Sequence, residues 1–421
     1  MNWIVIEVDF FLIINQSFMF KTLSVFISVL IVFLSCKTTK NSSDTKSANL
    51  NVPDSFRPAD LFFLSPEKQL LYYQNAEKIL PTNKIEAGKK KYPLRKSLRD
   101  LSGFSFKYKD TVRTIEDFIR TTRAVGIMIV RNDTILYERY EQGNNAATKW
   151  IDFSVAKSIT SLLFGAAMQD GYIKSLDDLV PKYIPELANT VYDSVTLKNL
   201  LQMHSGVAWN DDTRSPQSDL MKVGRLEKEN GWNAVVEYLS KLKRVAPPGR
   251  RFNYNTIETS LMGLILSRAI GKTLSQYLSE KVWKPFGMHD DANWIRSRVN
   301  NIEIGGCCVS ATLMDHALLG LYAMNNGIGL DGKPQLPENW IKESITPTRS
   351  YKGYGYYWWL HPGRYFASGA FGQQVEIDPA TRTVVAIHSY WPIAFHDYYI
   401  DYIDGFIAEV IKYVNANTKA N

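Results

Sequence analysis

The sequence predicts an α/β chain of the α+β type: an antiparallel β-sheet flanked by N- and C-terminal helices, joined to a mainly helical region. Three observations carry this expectation. Residues 125–130 and 134–140 are β-rich runs on either side of Arg131-Asn132-Asp133, the pattern of a hairpin. The middle of the chain, from Ser154 to about Asn325, reads as a succession of helices. After Tyr354 the pattern turns to short strands, and a last amphipathic helix covers about 397–415. Hairpin-like connections make the sheet antiparallel, and a cleft between sheet and helical region is the natural place for a site.

Taken in order, residues 59–115 are mixed in character and carry no motif. The hairpin follows. A helix opens near Ser154 and runs to Asp170, with Gly171 as its stop. Thr196 starts a short helix, Thr256–Ile270 reads as a longer one ended by Gly271, and Thr273–Val282 and Ser310–Asn325 as two more. The expected late strands are roughly 355–360, 364–368, 373–377 and 383–389. Neither an internal repeat nor a low-complexity tract interrupts the folded part.

Composition bounds the function. The 421 residues carry a net charge of +7, and 45% are hydrophobic, an ordinary globular balance. The densest basic run, Lys84 to Arg99, is broken by Pro93 and lacks an aromatic stacking pattern, so it reads as a solvated loop rather than a nucleic-acid surface. The three cysteines, Cys36, Cys307 and Cys308, make no disulfide framework, and the adjacent pair is expected reduced and packed. No Cys/His spacing suits zinc, and no cofactor is implied.

The N-terminus reads as a leader. Lys21 precedes an apolar run that ends in Phe33-Leu34-Ser35-Cys36, too short and too sharply ended for a comfortable membrane span. This ending resembles a bacterial lipobox, with Cys36 lipidated as the mature first residue. Residues 37–58 then form a flexible tether. The chain is thus expected in a bacterial cell envelope, held by a lipid anchor. Glu7 and Asp9 do not belong in a signal sequence, so translation is expected to start at Met19. Mass spectrometry of the expressed precursor checks this; a chain beginning at Met1 would contradict it.

The chemistry concentrates in three stretches. In Phe153-Ser-Val-Ala-Lys157, Ser154 and Lys157 are three apart, so on a helix they share one face. Ser154 sits where the helix starts, among free N–H groups, and Ile159 and Leu162 suggest burial for Lys157, which lowers a lysine's pKa. A neutral lysine there would activate the serine as a nucleophile. Three other Ser-x-x-Lys matches, at Ser43, Ser65 and Ser240, lack a helix start combined with apolar surroundings. In Pro247-Pro-Gly-Arg-Arg-Phe-Asn-Tyr254, the tyrosine stands just before a helix, where a nearby ammonium would favour its ionised form for proton transfer. In Phe366-Ala-Ser-Gly-Ala-Phe-Gly-Gln373, small residues at a strand end allow close approach of a ligand to the backbone.

In this order the three stretches resemble the serine β-lactamase and penicillin-binding-protein superfamily, whose pattern is Ser-x-x-Lys, Tyr-x-Asn and Lys-Thr-Gly. The resemblance runs from about residue 112 to 412. It includes Leu200-Leu-Gln-Met-His-Ser-Gly206, Trp283-Lys-Pro-Phe-Gly-Met288, Gly305-Gly306 and Gly353-Tyr-Gly-Tyr-Tyr-Trp-Trp359, and within the superfamily it is most similar to class C-like esterases and 6-aminohexanoate-dimer hydrolases. It implies a β-lactamase/transpeptidase-like domain over 112–415, preceded by a segment at 59–111. It assigns Ser154 as nucleophile, Lys157 as its base and Tyr254 as proton carrier. The oxyanion hole would be the N–H groups of Ser154 and Ala370, with Thr256, Ser368 and Gly369 toward the substrate. Two departures matter. Thr256 replaces the Asn of the second motif, and Ala367 replaces the Lys of the third, removing a cationic anchor. An ester or short amide is therefore the expected small-molecule substrate, rather than a β-lactam or a peptidoglycan peptide. The rival expectation is a non-catalytic surface lipoprotein that binds a cell-wall or peptide ligand.

Other motifs fail on context. Gly327-Ile-Gly-Leu-Asp-Gly332 matches a dinucleotide fingerprint but follows no strand and precedes no helix. A G-x-S-x-G elbow is absent, so a hydrolase triad with His388 or His396 is unsupported.

Overall fold

The computed structural model describes residues 50–416 except 51 and 54, so the leader, Cys36 and most of the expected tether lie outside the described residues. From Asn51 onward the chain clusters as one unit. Its main sheet has seven strands, in the order Trp359–His361, Arg364–Ser368, Gln374–Asp378, Thr383–Ser389, Ala124–Arg131, Thr134–Tyr140 and Arg95–Lys96. All pairings are antiparallel except the last, in which Arg95 and Lys96 run parallel to Thr134 and Ile135. The predicted hairpin is present, with Asn132 and Asp133 both at positive φ, as a tight turn of that hand requires. The central strands 124–130 and 383–389 are buried throughout, so both faces of the sheet are covered. Helix Leu313–Met324 packs on them, and helix Asp397–Ala416 stacks Phe406 on Phe118 of helix Ile115–Thr122 at 3.7 Å between ring centroids.

Several expectations change. A second, four-stranded antiparallel sheet orders Thr82–Ile85, Ala292–Ile295, Val309–Thr312 and Lys149–Ile151. Residues 310–312, read as the start of a helix, belong to its third strand because their backbone is paired with neighbours; the helix begins only at Leu313, capped by Thr312. Residues 59–115 are not featureless. They supply a 3₁₀ turn at Pro58–Phe63, helix Pro66–Tyr73, the edge strand Thr82–Ile85 and a small hairpin at 105–114. The basic run is not a plain loop either. Lys84 lies on that edge strand and pairs with Asp291 at 2.7 Å, while Lys96 lies on the main sheet and pairs with Glu138 at 2.6 Å. Residues 355–358 are not strand; Tyr357 sits at φ 62°.

The helical region is built on two crossing helices, Val155–Gln169 and Thr256–Ile270, both buried over most of their length. Between them runs Gly305-Gly306, and only glycine fits. A Cβ on Gly305 would lie 2.8 Å from the Thr259 carbonyl oxygen, and one on Gly306 would lie 2.5 Å from that of Thr256. This close approach fixes the height of the Gly306 carbonyl beside Ser154's helix. Gly306→Ala is therefore expected to cost about 1–3 kcal/mol by overpacking, measured by chemical denaturation; unchanged stability would show that the contact yields.

Candidate active site

Ser154 caps the helix Val155–Gln169 at the end of a sharp turn out of strand Lys149–Ile151. Phe153, just before it, has φ 49°, a strained left-handed conformation for a bulky residue, and it presents the serine at the turn's crest. One helical turn further, Lys157 is 1% exposed. Its Nζ donates to Ser154 Oγ at 3.1 Å and to the Gly306 carbonyl at 2.7 Å. Among the described residues no carboxylate lies within ion-pair distance of it. Burial accordingly pulls the amine down to about 8, against the opposing pull of Asp211 and Asp152.

Tyr254 completes the group. Lys157 Nζ lies 5.0 Å from the centroid of its ring. Burial pushes the phenol well above the usual tyrosine range, with a hydrogen bond to Ser154 opposing the shift. This corrects the expectation that a neighbouring ammonium favours the phenolate. Desolvation outweighs that attraction, so Tyr254 stays protonated. Trp359 stacks on Tyr254 at 5.7 Å between centroids, while Tyr356, Tyr357 and Trp358 are core.

Ala367-Ser368-Gly369 falls at the end of strand Arg364–Ser368, with Gly369 packed so closely that a Cβ would lie 2.4 Å from the Asp152 carbonyl oxygen. Among the described residues, neither the Ser154 nor the Ala370 N–H donates a hydrogen bond. Thr256 is placed otherwise than expected. Its hydroxyl donates to Asp211 Oδ2 at 2.8 Å, and its N–H donates to Asp211 Oδ1 at 3.2 Å, so the side chain is tied up rather than offered to a substrate.

Asp211 is the residue sequence reasoning missed. It also accepts from the indole N–H of Trp209 at 2.7 Å. The signal was Trp209-Asn-Asp-Asp212, directly after the Leu200–Gly206 motif. A second missed group is fully buried behind the nucleophile. Asp152 Oδ1 accepts from the Val309 N–H at 2.7 Å, Oδ2 lies 3.7 Å from His316 Nε2, and His316 Nδ1 is 2.8 Å from His388 Nε2. Burial holds His388 well below its ordinary value, as fits a core residue. His396 is exposed. Of the adjacent cysteines, Cys308 is packed in the core and Cys307 lies beside the site.

Two pockets flank these residues. One, of about 330 Å³, is bounded by Tyr254, Trp359, Phe366, Ser368, Trp391 and Asp404 among others. The other, of about 100 Å³, reaches Ser154 between Phe153, Ile257 and Gly306. Asp211 lines both.

A Beta-lactamase family model matches residues 112–393. The chain belongs to the beta-lactamase family. Members of this family are serine hydrolases. The chain is 25% identical over 303 residues to the 6-aminohexanoate-dimer hydrolase of Paenarthrobacter ureafaciens, covering 66% of this chain and 75% of that protein. A Bacillus anthracis protein described as a candidate 6-aminohexanoate-dimer hydrolase superposes with a TM-score of 0.71 at 22% identity, covering 82% of this chain and 94% of the other. EstCE1, a hydrolase with promiscuous acyltransferase activity, superposes with a TM-score of 0.53 at 16% identity, over 69% and 95% of the two chains. The β-lactamase/transpeptidase-like fold expected from the three motifs is therefore the fold of this beta-lactamase-family chain.

Proposed function

We propose that the chain is a serine hydrolase that cleaves an ester or short amide through an acyl-enzyme on Ser154. The observation that carries this reading is the buried Lys157 Nζ, 3.1 Å from Ser154 Oγ and without an ion-pair partner among the described residues. In the neutral amine the same contact lets the serine O–H donate to the nitrogen lone pair, while an N–H of the amine holds the Gly306 carbonyl. Ser154 Oγ attacks the substrate carbonyl carbon and its proton passes to Lys157. The oxyanion is met by the N–H groups of Ser154 and Ala370. Tyr254, protonated at the outset, gives its phenolic proton to the leaving oxygen or nitrogen as the scissile bond breaks and takes one from Lys157 in its place. Water then attacks the acyl-enzyme and releases the acid. In the substrate-binding role proposed for them, Ser368 and Gly369 border the leaving group.

The larger pocket supports an ester or short amide over a β-lactam. Among the described residues its lining holds Asp211 and Asp404 and neither Lys nor Arg, and Ala367 is buried, so nothing there anchors a substrate carboxylate. A lipid anchor at Cys36 would place this activity at a bacterial membrane surface.

Lys157→Ala is expected to lower ester hydrolysis by about 10³-fold or more, and Tyr254→Phe by about 10²-fold or more, with unchanged near-UV circular dichroism. Full activity of Lys157→Ala on p-nitrophenyl acetate would overturn the mechanism. The pH profile carries a further expectation. The amine must be neutral to act, and at pH 7 roughly a tenth of it is. Activity should therefore rise with pH through about 8. Asp211 favours the ammonium, so Asp211→Asn should move this rise to lower pH; a rise that stays in place would remove Asp211 from the account.

A further inference from the structure

The smaller pocket has a wall that the family match does not supply. Its lining takes Phe153, Val223, Trp232 and Ile257 from inside the matched residues and Phe395 from just beyond them. Pro58, Ala59 and Phe62, from the 3₁₀ turn at Pro58–Phe63, line it from well outside them on the N-terminal side. The turn is firmly built. The Arg57 guanidinium binds both oxygens of Asp60, at 3.1 and 2.5 Å, and the Tyr73 hydroxyl donates to the Leu61 carbonyl at 3.0 Å. Lys228 Nζ donates to the Ser55 carbonyl at 3.0 Å, tying the segment to helix Asp219–Ser240. Ala59 Cβ lies 3.3 Å from where Gly224 would carry a Cβ, so turn and helix meet closely. Phe62 then packs edge-on to Phe153 at 5.5 Å and against Phe371 at 5.7 Å. These two rings adjoin Ser154 and Ala370 in sequence.

On the hydrolase reading above, on which this inference rests, the two pockets divide the substrate. Tyr254 delivers the proton to the leaving group and lines only the larger pocket, so the leaving group lies there. The acyl chain then enters the smaller pocket at Ser154. Of the two carboxyls in its wall, Asp211 has its oxygens taken up by Thr256 and Trp209, and burial pushes the Glu227 carboxyl up, toward its neutral form.

We propose that the N-terminal turn Pro58–Phe63 closes the acyl pocket and that Phe62 sets the length of acyl chain accepted, restricting it to short apolar groups. Removing the ring enlarges the pocket; a larger ring narrows it. The proposal separates acyl from alcohol selectivity, because Phe62 does not border the larger pocket.

The test is kcat/KM across p-nitrophenyl esters from acetate to decanoate for wild type, Phe62→Ala and Phe62→Trp, beside a series of acetate esters of lengthening alcohols. Phe62→Ala should raise octanoate relative to acetate by about tenfold or more, as a few added methylenes in an apolar pocket do. Phe62→Trp should shift preference toward acetate, and the alcohol series should keep its order in both. Should Phe62→Ala not fold, the tryptophan variant decides alone. Parallel loss on every acyl chain, or a shift confined to the alcohol series, would overturn the proposal and leave the hydrolase reading standing. A wild type that cleaves no ester and fails to label at Ser154 with a fluorophosphonate would overturn both.

Discussion

A buried lysine with no ion-pair partner among the described residues is the constraint around which the rest of this structure is arranged. Lys157 is costly where it is, since burial disfavours its charge and, among the described residues, no ion pair offsets the loss. The fold answers with one strong acceptor, the Gly306 carbonyl at 2.7 Å, and one weaker partner, the Ser154 hydroxyl at 3.1 Å. That arrangement tolerates a neutral amine better than an ammonium. In the proposed mechanism a lysine held so is the base, and the serine one turn away is the source of its proton.

The surrounding structure keeps this pair in place from three sides. Gly305-Gly306 lies directly on helix Thr256–Ile270, so the carbonyl that holds Lys157 is fixed by the helix that presents Tyr254 at its start. Asp152 joins the turn before Ser154 to Val309, three residues beyond Gly306, by paired hydrogen bonds of 2.8 and 2.7 Å. An aromatic group of Phe62, Tyr73, Phe153 and Phe371 closes the remaining side. Ser154 and Lys157 therefore sit at the start of one helix and Tyr254 two residues before another, which the proposed catalysis by positioning requires.

What could be read from the sequence was local. Ser154 and Lys157 are related by helical spacing, and Tyr254 by its place at a helix start, so short stretches sufficed for each. The hairpin at 131–133 and the helix ends at Gly171 and Gly271 were legible for the same reason. Contacts between distant segments were not. Asp211 binds Thr256 across 45 residues, and Lys157 meets Gly306 across 149. The second sheet joins strands from residues 82 to 312, each too short to announce itself. Tyr254 was misjudged in charge because the sequence shows its neighbours but not its depth. Residues 59–115 looked motif-free because their part is to cover what other segments build.

The two departures from the lactam-processing pattern also acquire a physical meaning. Thr256 stands where an amide side chain would face the substrate, and its hydroxyl is taken by Asp211. Ala367 stands where a cation would, and the pocket beside it carries acidic and aromatic groups instead. The groups proposed to make the serine reactive thus stand without a cation that would hold a substrate's carboxylate. The most direct measurement is the labelling of the chain from about residue 52 by a fluorophosphonate, with the adduct located by peptide mass spectrometry. The account predicts one adduct, on Ser154, lost in Ser154→Ala and in Lys157→Ala. A well-folded protein that takes no label, or that labels equally without Lys157, would contradict it and favour a binding protein built on a hydrolase fold.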